Sequence, residues 1–441
     1  MSNPRLDHEA DDEGHDPSDT RDHSQGTTWK NGYRDAMRIR EFRFLWFAHA
    51  LSIVGTNLLN IAVSVLVYRA TDSAFAAGIT LAVTFLPPIL AGPLLSGLAD
   101  VFPRKQALIV CDLARAVFIL AAGIPGIPVW AIWSLLFLSV VPAVPFTAAR
   151  AALLAEIVQG ERYVAGTAII HLTTQLGMLI GLIAGGFVVS VIGPNTTVMA
   201  NAAIFALSAL LVMAGVRARP APNTDADGNR SRPGLGAMIT RGTRLVLTDP
   251  RLRTLALMAW VAGLYMIPYG IANPMADELG AGPGAAGIIM AGPSIGTLIG
   301  GFLLTRFVPP PTRMRWLGPL TVLASVPLIL WILPLPLWLM VGLLAISGAA
   351  ASYQIVANAT FVLCTPEDGR GLAFGLVAAG LQASQGLGIL FGSLLVELFG
   401  TSAVITGAGA VGVVLGVALA ATWSRMAESA IEKMNEAEQP A

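Results

Sequence analysis

Charge is scarce in this chain. Only 12% of its 441 residues are Asp, Glu, Lys or Arg, against about 25% in a soluble domain. With 55% hydrophobic residues and a mean hydropathy of +0.69, water is not the solvent for most of its surface. Neither sign is in surplus: 27 Lys plus Arg balance 27 Asp plus Glu, which leaves no global basic excess for nucleic acid. Cysteine is almost missing. Cys111 and Cys364 stand far apart in apolar sequence, whereas a disulfide framework or zinc site needs more ligands at tighter spacing. No G-x-x-x-x-G-K-[ST] phosphate cradle occurs, so nothing marks an ATP-driven machine. No Ser/His/Asp or paired-carboxylate arrangement stands out either, and no catalysis, cofactor or metal is assigned. Lysine is rarer still, three against twenty-four Arg, which with abundant Ala, Gly and Val points to a high-GC bacterial genome.

What the chain has in plenty is long apolar runs. A helix crossing the hydrocarbon core needs about 20 largely apolar residues, and such stretches fall at 43–69, 74–98, 105–123, 128–157, 164–191, 195–216, 252–276, 284–306, 316–334, 336–363, 371–397 and 400–423. The narrowest separation is Pro334 to Pro336. Twelve spans place both termini on one side, and 24 of the 27 basic residues then fall on that side, as expected of the cytoplasmic face. Only Arg69 lies opposite, while Arg115 and Arg150 lie within spans.

Five segments follow. Residues 1–42 read as a disordered cytoplasmic tail without a cleavable signal peptide, 43–216 as an N-terminal six-helix bundle, 217–251 as a cytoplasmic linker, 252–423 as a C-terminal six-helix bundle and 424–441 as a second tail. The first tail holds eight carboxylates from Asp7 to Asp22, with His8, His15 and His23. A solvated segment and a metal-sensing one both fit. The linker's later part, LGAMITRGTRLVLTDPRLR, carries apolar and Arg residues at helical spacing, an amphipathic helix for the membrane surface. The halves look like weak copies of each other, as in repeat-built transporters: Gly177 and Gly181 in the fifth span recur as Gly388 and Gly392 in the eleventh. Small residues so spaced let helices approach closely.

From Ser96 to Lys105 the chain reads SGLADVFPRK, which resembles the G-x-L-A-D-R-x-G-R-[RK] signature of the major facilitator superfamily. The Asp and basic pair match; Ser96, Val101 and Pro103 depart. Gly177, Gly181, Gly185 and Gly186 are in register with that superfamily's antiporter signature G-x-x-x-G-P-x-x-G-G, with Leu182 in place of Pro. The likeness covers nearly all of 40–425. Fragments such as CDLARA, ARAALLAEIV, LTDPRLR and EDGRGLAFG resemble the macrolide-efflux and enterobactin-exporter-like branch. The resemblance implies an all-α protein of twelve transmembrane helices in two pseudo-symmetric bundles, working as a monomer in the bacterial inner membrane. It implies a secondary transporter that exports drug-like molecules against protons by alternating access. It also implies that Asp100, with Arg104 and Lys105, latches the halves in the outward-facing state.

Ionisable residues inside spans are functional candidates by default. Asp112 and Arg115 are three apart and share a helix face, and Arg150 and Glu156 occupy the inner half of the fourth span. Asp112 is read either as a proton carrier or, with Arg115, Arg150 and Glu156, as part of a charge network joined to the Asp100 latch. His49 and His171 are alternative titrating groups, and Glu397 reads as a solvated rim charge. The superfamily lines a central cavity chiefly with spans one, four, seven and ten. Uncharged polar groups fall there: Asn57 and Asn60; Tyr265, Tyr269 and Asn273; Tyr353, Gln354 and Asn358. His171 with Gln175, and Gln382 with Gln385, offer similar faces on spans five and eleven. Each pair serves equally as an interhelical hydrogen bond. A cavity of aromatics and amides with little charge suits a bulky amphiphile. The alternatives are a narrow exporter of one natural product or siderophore and, in another class, a membrane sensor or scaffold that moves nothing.

Overall fold

A computed structural model describes residues 34–95, 102–159, 161–219, 235–366, 370–429 and 431–432. Regular structure among them is entirely helical. The first half comprises α1 (Arg40–Thr71), α2 (Ala74–Leu95), α3 (Arg104–Ala122), α4 (Val129–Val140), α5 (Ala143–Ile157), α6 (Glu161–Ile192) and α7 (Pro194–Gly215). After α8 (Leu235–Thr248), the second half comprises α9 (Pro250–Trp260), α10 (Ala262–Tyr265), α11 (Ile267–Gly270), α12 (Ala272–Glu278), α13 (Gly282–Phe307), α14 (Pro310–Leu323), α15 (Val326–Ile329), α16 (Leu337–Ala351), α17 (Tyr353–Cys364), α18 (Arg370–Phe399) and α19 (Thr401–Ser424).

Among the described residues ten helical stretches are long and apolar enough to cross a membrane. Two more complete the twelve: α2, apolar over Ala74–Ile89, and α3, whose sequence is made less apolar by Arg104, Lys105, Asp112 and Arg115. Twelve crossings put Arg40 at the start of α1 and Ser424 at the end of α19 on one side, here called the terminal face, opposite the distal face. The ninth span begins at Pro310, six residues before the apolar run. Pro310 sits at the first helical turn, where its missing N–H loses nothing, and Arg313 turns back to donate to the carbonyls of Val308 and Thr305 at the end of α13.

Prolines divide two spans. The fourth breaks at Val141–Pro142 between α4 and α5, and the seventh is four short helices separated at Val261, Met266 and Ile271. Pro268, lacking an N–H, cannot return a bond to Leu264. The turns into the last span of each half are alike: Gly193 and Gly400 take φ of 78° and 80°, a region that penalises any side chain.

Within each half, repeated glycines let one helix lie against another's backbone. A Cβ on Gly181 would stand 2.6 Å from the Val54 carbonyl oxygen of α1, and one on Gly388 would overlap the Gly263 carbonyl of α10. Between the halves, α2 packs on α18 and α6 on α13. These are the second span with the eleventh and the fifth with the eighth, pairs that a two-fold between the halves exchanges. The predicted amphipathic helix is α8, lying against Leu372 at the start of α18; its sequence continues past Asp249 into the seventh span.

Candidate functional site

A cavity of about 430 Å³ lies between the halves. One stripe of α1 supplies more of its polar wall than any other helix: His49, Ser52, Thr56, Asn57 and Asn60, with Ile53. The first half also supplies Thr84 and Phe85 of α2, Arg115 of α3, Ser139 of α4, and Phe146, Thr147 and Arg150 of α5. The second half contributes Met266, Tyr269, Gln382 and Gln385. Asn60 Nδ2 donates to the Tyr269 hydroxyl at 3.4 Å across the two halves.

Arg115 is held from several sides. Its guanidinium donates to Ser52 Oγ at 3.1 Å and Thr56 Oγ1 at 2.8 Å, and lies 4.0 Å over the Phe205 ring. Asp112 Oδ1, 4.0 Å away, supplies the opposing charge. That carboxylate is fully buried, accepts from Ser208 Oγ at 2.5 Å and leaves Oδ1 without a hydrogen bond. Asp112 compensates Arg115 from behind and is not part of the cavity wall.

Arg150 belongs to a different group. Its Nη1 lies 2.5 Å from His49 Nδ1, whose other nitrogen is 3.0 Å from Thr174 Oγ1. Thr174 in turn donates to the Ile170 carbonyl at 2.9 Å. Arg150 Nη1 is also 2.9 Å from Nε2; with the ring neutral and its proton on Nε2, Nδ1 is free to accept from Arg150 and Nε2–H is free to donate to Thr174.

At the terminal face, Arg104 pairs with Glu156, Arg219 bridges Glu156 and Glu41, and Arg217 also reaches Glu41. Lys105 donates to the Met213 carbonyl at 2.8 Å, at the end of α7. Asp100 lies outside the described residues. The other six residues of the expected latch and network are therefore spread over separate places: a deep Asp112–Arg115 pair, Arg150 on His49, and a rim cluster of Arg104 and Glu156 with Lys105 nearby. Asp249 caps α9, accepting from the Arg251 N–H at 2.8 Å. Burial pushes its carboxyl up, but the Arg251 hydrogen bonds outweigh this and hold it below the usual carboxylate range.

Side-chain hydrogen bonds joining the halves, among the described residues, run from Asn60–Tyr269 toward the distal face. Asn273 donates to Ser64 Oγ at 2.7 Å, and Glu397 accepts from the Ser73 hydroxyl and from the Phe75 N–H at 3.1 Å. Glu397, although exposed, thus caps the start of α2 from the other half. The backbones of α6 and α13 touch at Gly186 and Gly287. Ion pairs at the terminal face, such as Arg104–Glu156 and Arg315–Glu428, each stay within one half. Among the described residues the halves are stitched distally, and the cavity lies at and on the terminal side of the Asn60–Tyr269 contact.

Of the expected cavity residues, Asn57, Asn60, Tyr269, Gln382 and Gln385 line it. Asn273 belongs to the distal seam. Tyr265 and Gln354 bond to each other, and Tyr353 donates to the Met258 carbonyl at 2.6 Å, all inside the second half. His171 and Asn358 are exposed, and Gln175 on α6 is half-buried away from the wall. Gly177, Gly181 and Gly185 pack on α1, whereas Gly186 meets α13. The polar wall is also less neutral than expected, since two guanidiniums and an imidazole face the cavity with no carboxylate among its lining. His49, Ser52, Thr56 and Asn60 follow 3–4–4 spacing, a signal in the sequence that would have extended the Asn57–Asn60 face.

The sequence model of the Major Facilitator Superfamily matches residues 45–272 and 255–440. An uncharacterized MFS-type transporter of Bacillus subtilis (strain 168), YjbB, is 29% identical over 162 residues, 36% of this chain. The chain spans 40% of that relative's length. Among solved structures, a bacterial homologue of the human lysosomal transporter Spinster, inward-facing and unoccupied, matches with a TM-score of 0.69 at 14% identity, over 89% of this chain and 97% of that one. The nucleoside transporter NupG gives 0.63 at 15% identity over 86% and 98%. A POT family transporter in complex with 5-aminolevulinic acid gives 0.70 at 10% over 89% and 96%. At such identities the likeness is one of fold.

Proposed function

Because the chain belongs to the major facilitator superfamily, a family of membrane transporters rather than enzymes, we propose that it exports amphiphilic small molecules through the cavity between its halves by alternating access. One observation carries this reading: a mid-membrane cavity that lies between the halves on the terminal side of the contacts joining them distally. Since 24 of 27 basic residues fall on that side, it is the cytoplasmic face of the cell membrane, and a molecule entering here is taken from the cell. The likeness of the fold to an inward-facing structure supports the same state.

Release then requires the distal seam to part while the terminal face closes, a rocking of one half against the other. The sequence likeness to macrolide-efflux proteins and the antiporter-type glycines support outward movement driven by protons. Asp112 is the proposed carrier. It is a deep carboxylate with an oxygen left unbonded, and its charge state sets the hold on Arg115, which reaches the cavity wall. Protonating Asp112 frees Arg115, and losing the proton retracts it. Monomeric function is the superfamily's default and is adopted here.

The test is accumulation of a panel of fluorescent dyes and antibiotics in pump-deficient bacteria expressing the protein, with and without a protonophore. Lower accumulation that the protonophore restores supports proton-driven export. Unchanged accumulation across the panel removes the broad-export reading.

A further inference from the structure

Resting on the transport reading above, we propose that the cavity's ligand is an organic anion whose carboxylate, phosphate or sulfonate is bound by Arg150. The charge balance of the wall carries this. Arg115 has its own counter-charge in Asp112 behind it, so the pair adds no net charge. Arg150 has none: among the described residues its only polar partner is His49, and no carboxylate stands within 4.0 Å. His49 brings no negative charge in any protonation state, and a neutral ring with a free Nδ1 lone pair suits these contacts. Among the described residues, the cavity holds one uncompensated positive charge at membrane depth.

An unpaired charge in such a place is expensive and marks a ligand or ion pathway. A lysine could shed its proton there, but a guanidinium cannot. Both short contacts to His49 use Nη1, so the edge formed by Nη2 and Nε remains for a ligand. That edge presents two parallel donors, the geometry that matches the two oxygens of a carboxylate, phosphate or sulfonate. The relay from Arg150 through His49 and Thr174 to the Ile170 carbonyl fixes one end of the guanidinium before a ligand arrives, so less ordering is needed on binding. His49 is thus a positioning residue.

The rest of the wall describes the remainder of the molecule. Phe85, Phe146, Met178 and Met266 offer aromatic and thioether contacts for a lipophilic body. Asn60 and Gln385 supply neutral hydrogen bonds. The volume of about 430 Å³ lies within the range of small-molecule pockets. A permanently cationic amphiphile would meet like charge with no carboxylate in the lining to receive it.

Full-length protein in detergent is titrated with three naphthalene probes of one skeleton: 1-naphthylacetate, 1-naphthylacetamide and 1-naphthylmethylamine. Wild type is expected to bind the acetate at least about tenfold more tightly than the amide, with the amine weakest. Arg150→Gln removes the preference, and Arg150→Lys, which keeps charge but loses the fork, retains part of it. Should Arg150→Gln fail to elute as folded protein, the wild-type ranking and Arg150→Lys decide. Equal or better binding of the amide or amine, no acetate binding, or a preference that survives in Arg150→Gln would overturn the proposal. Counterflow of the same probes in proteoliposomes separates the two readings. Head-group preference in binding without counterflow leaves the anion site standing and removes transport; counterflow without preference does the reverse.

Discussion

Gly287→Ala should open the distal face without unfolding either half. A Cβ at this position would stand 2.7 Å from the Leu182 carbonyl oxygen and 2.9 Å from Gly186 Cα. Both are backbone atoms of α6, which cannot swing aside as a flexible side chain can. Overpacking of this kind costs about 1–3 kcal/mol. Because α6 and α13 belong to opposite halves, parting the halves at the distal end relieves it. The ratio of distally open to distally closed molecules therefore rises about 5- to 150-fold. The native cysteines Cys111 and Cys364 are buried, so spin labels at Ile124→Cys and Ile332→Cys, exposed positions on the distal side of each half, report the change by pulsed electron resonance. A longer-distance population should grow in Gly287→Ala, with melting temperature little changed. Gly284→Ala is the control, since a Cβ there meets nothing within 4 Å. Identical distances in Gly287→Ala with a lowered melting temperature would refute the reasoning, because the strain would then be borne within a half.

Other consequences can be measured on the same preparation. Asp112→Asn leaves Arg115 buried without its counter-charge and should lower stability by about 3 kcal/mol; adding Arg115→Gln should recover much of the loss, and additive losses would show that the two are not a pair. Asp112→Asn should also abolish pH-driven transport, and transport that persists would remove Asp112 as carrier. Glu397→Gln weakens a charge-assisted cap from one half to the other, worth about 1.5–3 kcal/mol, and should shift the Ile124–Ile332 distances in the same direction as Gly287→Ala. Asp249→Ala removes a helix cap worth about 1 kcal/mol. Since the carboxyl is held below its ordinary value in the folded protein, its contribution is present above the unfolded-state pKa and fades as pH falls through the folded one. The gap in melting temperature between wild type and Asp249→Ala should narrow on acidification.

The spans were legible because burial in lipid imposes one requirement, some twenty apolar residues per crossing, that composition alone can meet. The errors lie where that requirement was met by unusual residues. Arg313 looked like loop because it is charged, yet it spends its guanidinium on the carbonyls ending α13. The cavity was only partly legible. Helical spacing shows which residues share a face, as with Asn57 and Asn60, but not which neighbour that face meets. Tyr353 and Gln354 have the chemistry of a cavity wall and instead hold the second half together. The uncompensated charge of Arg150 could not be read from sequence at all, because Glu156 lies close along the chain while its bonds go to Arg104 and Arg219.

The central claim is that the cavity is a path driven by a gradient. It is tested most directly in proteoliposomes carrying the purified protein, with a lipophilic aromatic anion such as 1-naphthylacetate on one side and an imposed pH difference. The account predicts movement of the probe against its own gradient, coupled to proton entry and abolished by a protonophore. Probe distribution that follows its own gradient alone, with or without the pH difference, would contradict it.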